Sequence, residues 1–243
     1  MVPMKCRNCP LRKREVFSPI DGKELAFMER FKSGELVVDP KTDILLEGAR
    51  SPQLFTVYSG MGVRYKTLED GGRQVINFVL PGDFIGLQAG VLTEMKHSVA
   101  STTTMTLCVF QRTALWGLFE NHPERAFDLT WLAAREEHFL GETLATIGQR
   151  SGLQRIAWGL LQVFRRGLDL GLVKGDEMML PYTQHDLADA LGLSLVHTNK
   201  TLKNLKNSKA AQWVDGKLTV PDVAALAELA NTDVPEKTPR PLF

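Results

Sequence analysis

Residues 182–209, YTQHDLADALGLSLVHTNKTLKNLKNSK, constrain this chain more than any other stretch. Thr183 can cap a first helix, with Asp186 three residues on to close a capping box. Leu187, Ala188 and Leu191 then give that helix one apolar face, and Gly192 supplies the turn, where a residue without Cβ fits at least cost. Ser194 can cap a second helix whose buried side continues through Leu202 and Leu205. Its outer side carries Lys200, Lys203 and Lys206, with Lys209 next and no acid from 194 to 209. Two helices so joined predict a helix-turn-helix able to lay its second helix in the DNA major groove. A helical hairpin with a solvated lysine face is the plainer reading. The next residues favour the DNA reader: Gln212-Trp213-Val214, Asp215-Gly216 and Lys217-Leu218-Thr219-Val220 predict a short hairpin with a glycine turn, a wing.

The chain has 243 residues, enough for two ordinary domains, and its 44 % hydrophobic content can fill a substantial core. No run of eighteen apolar residues occurs, so no membrane span is expected. The N-terminus, MVPMKCRNCPLRKREVF, is basic without the apolar region of a signal peptide. Three cysteines fit a reducing cytoplasm better than a disulfide-built secreted fold, so a cytoplasmic location is expected. With 29 basic against 28 acidic residues the net charge is +1, which argues against general coating of nucleic acid. One focused basic element on a nearly neutral protein suits specific docking instead.

From about Gly34 to Gln111, eight short β-prone runs alternate with turn signals that include Asp70-Gly71-Gly72 and Pro81-Gly82-Asp83. They predict a closed or sandwich-like all-β domain. At Pro123 the period changes, and Phe127, Trp131, Ala134, His138 and Leu144 recur at near-helical spacing over about 124–147. Phe127, Trp131 and Phe139 would be costly to leave wet, so this long helix is expected to form a homodimer seam, unless it packs on its own β-domain. Leu153 to Leu168 predicts a further helix supporting the helix-turn-helix, Pro221 to Ala230 a short capping helix, and VPEKTPRPLF a mobile tail.

In this order the chain resembles the Crp/Fnr superfamily of bacterial transcription regulators, from about residue 20 to 230. The resemblance rests on Pro81-Gly82-Asp83-Phe84-Ile85-Gly86, the long helix, Gln154-Arg155-Ile156-Ala157 and the block from Thr183 to Ser194. It implies an α+β protein: an N-terminal antiparallel, jelly-roll-like β-roll, a long dimerisation helix and a C-terminal winged helix-turn-helix. The expected divisions are an N-terminal extension (1–20), β-roll sensor (21–122), connecting helix (123–150), DNA-binding domain (151–231) and flexible tail (232–243). The implied function is that of a sequence-specific regulator, a homodimer on palindromic double-stranded DNA with RNA polymerase as a possible partner, its N-terminal domain sensing an unknown signal. Carried over by position, Ser194 opens the recognition helix, Leu195, Val196, Asn199 and Lys200 face the groove, and His197 faces a phosphate. Thr183 and Gln184 are placed to hold phosphate at the first helix's N-terminus, and Lys203 to add charge. Lys200 can donate to guanine and Asn199 can pair with adenine. Leu195 and Val196 depart from the polar readers of the cyclic-AMP-responsive members and can only pack against thymine methyls or the groove wall, which implies a different DNA word.

The family's cyclic-nucleotide pocket uses a glycine-glutamate and an arginine-serine pair, where this chain has Gly86-Leu87 and His97-Ser98. Leucine accepts no ribose hydrogen bond and histidine is no bidentate arginine, so cyclic AMP in the usual mode is not expected. Cys6-Arg7-Asn8-Cys9 has the spacing of cluster and zinc sites, but Cys108 reads as a buried strand thiol, too far downstream in the roll to match the fourth ligand of the family's oxygen-sensing branch. An iron–sulfur cluster, haem, a reversible Cys6–Cys9 disulfide and no effector at all therefore stay open, with His97, Cys6, Cys9 and Cys108 as candidate ligands. No nucleophile–base–orienter spacing occurs, so an enzyme is not expected. The remaining alternative is a β-roll ligand-binding or protein-interaction module whose winged helix does not read DNA.

Overall fold

The structure, a computed structural model, describes residues 4–234 and 236–243. It divides into two units whose segments interleave along the chain: residues 1–66, 78–137 and 239–243 form one, residues 67–77 and 138–238 the other.

In the N-terminal unit, helix α1 (Gly22–Phe31) starts at a capping box between Asp21 and Glu24. The eight expected runs become strands β1 (Lys32–Val38), β2 (Asp43–Leu45), β3 (Gln53–Ser59), β4 (Gly62–Thr67), β5 (Arg73–Val79), β6 (Phe84–Ile85), β7 (Ser98–Ser101) and β8 (Met105–Gln111). They form two four-stranded sheets, ordered β1-β8-β3-β6 and β2-β7-β4-β5. A short helix α2 (Leu87–Val91) comes after β6, and α3 (Leu115–Asn121) leads into α4 (Pro123–Gln149).

The two-residue period of β8 builds two cores at once. Met105, Leu107 and Val109 join Val57, Val79 and Val99 in a cluster inside the roll. Phe110 points the other way, with Leu54, Met28, Phe31, Leu118 and Leu129, and Cys108 and Cys6 pack against that second cluster. Gly60 takes φ +88°, and a Cβ there would meet Thr104 O and the Met105 backbone, so the β3–β4 turn admits no side chain.

The C-terminal unit is built on α5 (Gly152–Asp169), opened by a capping box between Ser151 and Gln154 and burying Ile156, Leu160, Leu161 and Phe164. Helices α6 (Gln184–Leu191), α7 (Leu195–Asn207) and α8 (Val223–Leu229) pack on it. Strands β9 (Glu177–Met179), β10 (Gln212–Val214) and β11 (Lys217–Thr219) make a sheet of order β10-β11-β9, adding a third strand to the expected hairpin. Asp215 and Gly216 turn it with φ of 51° and 71°, the two positive values a tight hairpin requires.

Two expectations are corrected here. Phe139 does not stay wet: it stacks on Trp158 with ring centroids 5.8 Å apart, so the exposed apolar side of α4 is instead carried by Phe127, Ala133, Ala134, Leu140, Leu144 and Ala145. The tail is not loose at its end either, since Phe243 is buried and Arg240 is paired with Asp83. A charge pair and an aromatic anchor offset the entropy that its proline content alone does not remove. No helix among the described residues is long and apolar enough to cross a membrane.

Candidate nucleic-acid interface and sensor sites

The helix-turn-helix is held by side-chain caps at both helix starts. Thr183 Oγ1 accepts from Asp186 N at 3.1 Å while Asp186 Oδ2 accepts from Thr183 N at 2.8 Å. Gly192 ends α6 at φ 63°, a left-handed position suited to glycine, and Ser194 Oγ accepts from His197 N at 3.2 Å to start α7. Leu187, Ala188, Ala190 and Leu191 of α6 and Thr198, Leu202 and Leu205 of α7 are buried, which fixes what α7 can show outward.

That outward face holds Val196, which is 79 % exposed, together with His197, Asn199, Lys200, Lys203 and Lys206. Ser194 and Thr183 are also exposed, while Gln184 and Leu195 are half-buried. Leu195 thus divides its side chain between the unit's own packing and solvent. His197 lies against Gly152, at the first turn of α5: a Cβ on that glycine would strike the imidazole. Its placement therefore depends on a residue that no local motif flags.

Arg73 is equally hidden from sequence reasoning. It belongs to the 67–77 segment of the C-terminal unit, and its guanidinium donates to Asp186 Oδ1 at 2.6 Å and to Asp189 Oδ2 at 2.8 Å. Those two acids lie three apart on α6, the one hint in the chain that a cation should meet them. Burial is the largest single influence on the arginine and lowers its pKa, but the hydrogen bonds and charges of the two acids together outweigh it and raise the pKa.

In the N-terminal unit, Gly86 has φ 94° and caps α2, placing Leu87 half-buried on that helix. His97 is held down to about 4 by burial first and by the neighbouring Arg64 second, so it is a neutral ring rather than a substitute for arginine. Ser98 Oγ accepts from Glu47 N at 3.0 Å, and the Arg64 guanidinium is engaged by Glu136 at 3.2 Å and by Phe84 O. Leu87, His97 and Ser98 therefore do not form the acceptor-and-cation pair that a cyclic nucleotide requires.

The cysteines stand closer together than their spacing in the chain suggests. Cys6 and Cys9 line a single cavity with Lys32 and with Cys108, far from them in the chain. The reason is geometric: residue 108 packs on the same cluster as Phe110, the face against which the N-terminal segment lies. Burial pushes the Cys6 thiol up, and pushes Cys108 up to about 11 despite the adjacent Lys32, so both are held as neutral thiols. Lys32 Nζ donates to Met4 O at 2.7 Å and to Glu35 Oε1 at 2.6 Å. All three thiols are unbridged, and among the described residues no three His, Cys, Asp or Glu side chains stand close enough to hold one metal ion. A four-thiolate cluster does not fit a chain with three cysteines, and His97 is not among the residues lining this cavity, so no histidine–cysteine pair there frames a haem.

A two-sheet roll followed by a long helix and a winged helix-turn-helix defines the class of protein: a transcription regulator. Residues 29–122 match the model of the cyclic nucleotide-binding domain, and residues 154–229 that of the Crp-like helix-turn-helix domain. The chain is 30 % identical over 233 residues to the nitrogen fixation regulation protein FixK of Bradyrhizobium diazoefficiens, covering 93 % of each. It is 29 % identical over 234 residues to the transcriptional activator protein FnrL of Cereibacter sphaeroides, covering 94 % of this chain and 93 % of that one. Among solved structures it superposes on FixK2 from Bradyrhizobium japonicum with a TM-score of 0.73 at 24 % identity, covering 83 % of this chain and 98 % of that one. The chain belongs to the Crp/Fnr superfamily of transcription regulators.

Proposed function

We propose that this regulator binds a two-fold symmetric double-stranded DNA site as a homodimer, reading bases with α7 and holding phosphates around it. The observation that carries the reading is the outward face of α7, where His197, Asn199, Lys200, Lys203 and Lys206 stand exposed with no acid among them. Asn199 and Lys200 supply hydrogen bonds to base edges, and Thr183, Gln184, Ser194, His197 and Lys203 are assigned to the backbone. Val196 offers apolar contact alone, and half-buried Leu195 supports it at the groove wall. The dimer is supported by the apolar face of α4, on which Leu144 is 73 % and Phe127 is 67 % exposed. A symmetric pair of such helices presents two copies of α7 to successive half-sites.

The test is selection of binding sites from a random duplex library with the full chain, followed by gel shift. Enrichment of an inverted repeat that Lys200→Ala binds less tightly supports the reading; no enriched duplex under oxidising, reducing or anaerobic conditions refutes it. Sedimentation of the wild type and Leu144→Asp addresses the dimer: a dimer that becomes a monomer is expected, and a wild-type monomer at micromolar concentration defeats it.

A further inference from the structure

The last five residues of the chain are packed onto the N-terminal unit by three kinds of interaction. Arg240 lies alongside Phe17 in a parallel bridge: Arg240 N donates to Val16 O and Ser18 N donates to Arg240 O, both at 2.8 Å. Its guanidinium grips the 81–83 turn, with Nη1 2.9 Å from Asp83 Oδ1 and Nη2 3.2 Å from Pro81 O, and it sits 5.0 Å from the Phe17 ring centroid. Asp83 is itself buried, so this is a charge-assisted contact shielded from water. Beyond it, Phe243 is buried, with its ring centroid 5.2 Å from that of Phe84 and the Arg125 guanidinium 5.8 Å from it.

This anchored end closes onto chemistry. Leu242 and Phe243 line the same cavity as Cys6, Cys9 and Cys108. The cavity is rich in sulfur, since Met4 and Met28 add two thioethers to the three thiols, and among the described residues no carboxylate side chain lines it. Thiols and thioethers are soft donors that favour thiophilic species over hard cations, and Arg12 and Lys32, which also line the cavity, disfavour cations further. Leu242 and Phe243 add apolar surface beside Cys6 and Cys108, whose partial burial favours the neutral thiol.

We propose that the cavity is a reaction site for soft, thiol-directed species and that residues 239–243 are its lid. Arg240 is the latch, because its contacts are polar and lie outside the cavity, whereas Leu242 and Phe243 are the cover. A reagent in solution reaches Cys6 and Cys108 when the latch opens.

The experiment uses the full reduced chain and 5,5′-dithiobis(2-nitrobenzoate). Each thiolate that attacks this disulfide becomes a mixed disulfide and releases one thionitrobenzoate anion, so the absorbance counts the reacted thiols. Mass mapping of the products assigns them to Cys6, Cys9 or Cys108. Truncation after Thr238 is expected to speed reaction at Cys6 and Cys108 at least tenfold at neutral pH, and Arg240→Gln to speed it by a smaller factor with the cavity lining intact. Phe243→Ser provides the same readout should the truncated chain not fold, and circular dichroism with a urea titration shows that each variant retains its structure. Equal rates in wild type, Arg240→Gln and Phe243→Ser, or complete reaction of the wild type on mixing, overturn the proposal. DNA plays no part in this measurement, so its outcome is separate from that of the DNA-binding reading.

Discussion

Arg73 Nη2 lies 2.6 Å from Asp186 Oδ1, and the other oxygen of the same carboxylate caps α6 through Thr183. One buried acid therefore serves both the start of the helix-turn-helix and a residue of the 67–77 hairpin. Bidentate arginine is suited to this, because its fork also reaches Asp189. Arg73→Ala is expected to lower the unfolding free energy of the C-terminal unit by about 1 kcal/mol, since the arginine is partly exposed and the capping contacts remain. Arg73→Lys is expected to recover only part of the loss. Urea titrations followed at the Trp158 and Trp213 fluorescence check both, and unchanged midpoints would show the pairing to be energetically idle.

Lys200 and Lys203 stand on the same exposed face of α7 but have different assigned roles. A phosphate contact releases counterions whatever the sequence, whereas a base contact discriminates. Lys203→Ala is expected to weaken all duplexes alike and to reduce the slope of log affinity against log salt by about two, one for each protomer of the dimer. Lys200→Ala is expected to cost about 1–3 kcal/mol per half-site on the selected palindrome and less on a scrambled duplex. Fluorescence anisotropy over a salt series separates the two; identical behaviour of the variants would remove the division of labour.

Gly152 and His197 make a pair in which the smaller residue controls the larger. Alanine suits the first turn of a helix better than glycine, so Gly152→Ala carries a small favourable backbone effect of under about 1 kcal/mol. Its Cβ nevertheless occupies the space of the His197 imidazole, which must swing away. Gly152→Ala is therefore expected to retain the melting temperature within a few degrees while weakening DNA binding as His197→Ala does, with no added loss in the double variant. Additive losses in anisotropy titrations would show that the glycine acts by another route.

Much of this architecture can be read from local chemistry. The capping residues Thr183, Asp186 and Ser194 and the turn residue Gly192 announce the two helices, because caps and left-handed turns are specified within a few residues. The eight strands are legible for the same reason, as alternation punctuated by glycine and aspartate. The features that stay hidden depend on contacts across long separations. Cys108 meets the N-terminal thiols only because register turns it outward beside Phe110, and no spacing rule links residue 6 to residue 108. Arg73 and Asp186 are likewise unrelated in sequence. The docked end of the tail is illegible because Pro239 and Pro241 resemble linker residues until the partner of Arg240, the buried Asp83, is known.

His97 supplies a pH-dependent term whose sign follows from its surroundings. Its pKa is down to about 4 against an ordinary 6.5, chiefly through burial and then through Arg64, with Lys66 acting in the same direction and Glu136 and Glu47 opposing. The folded state thus favours the neutral ring, so the contribution is fully present above pH 6.5 and is lost as pH falls through 4. Each pH unit between the two values is worth up to about 1.4 kcal/mol, and partial solvent access reduces the total to on the order of 2 kcal/mol. His97→Gln cannot titrate, and its urea stability is expected to fall less than that of the wild type between pH 7 and 4. Carboxylates shared by both proteins cancel in that difference. Parallel pH profiles for the two chains would mean that His97 is solvated and charged in acid like an ordinary surface histidine.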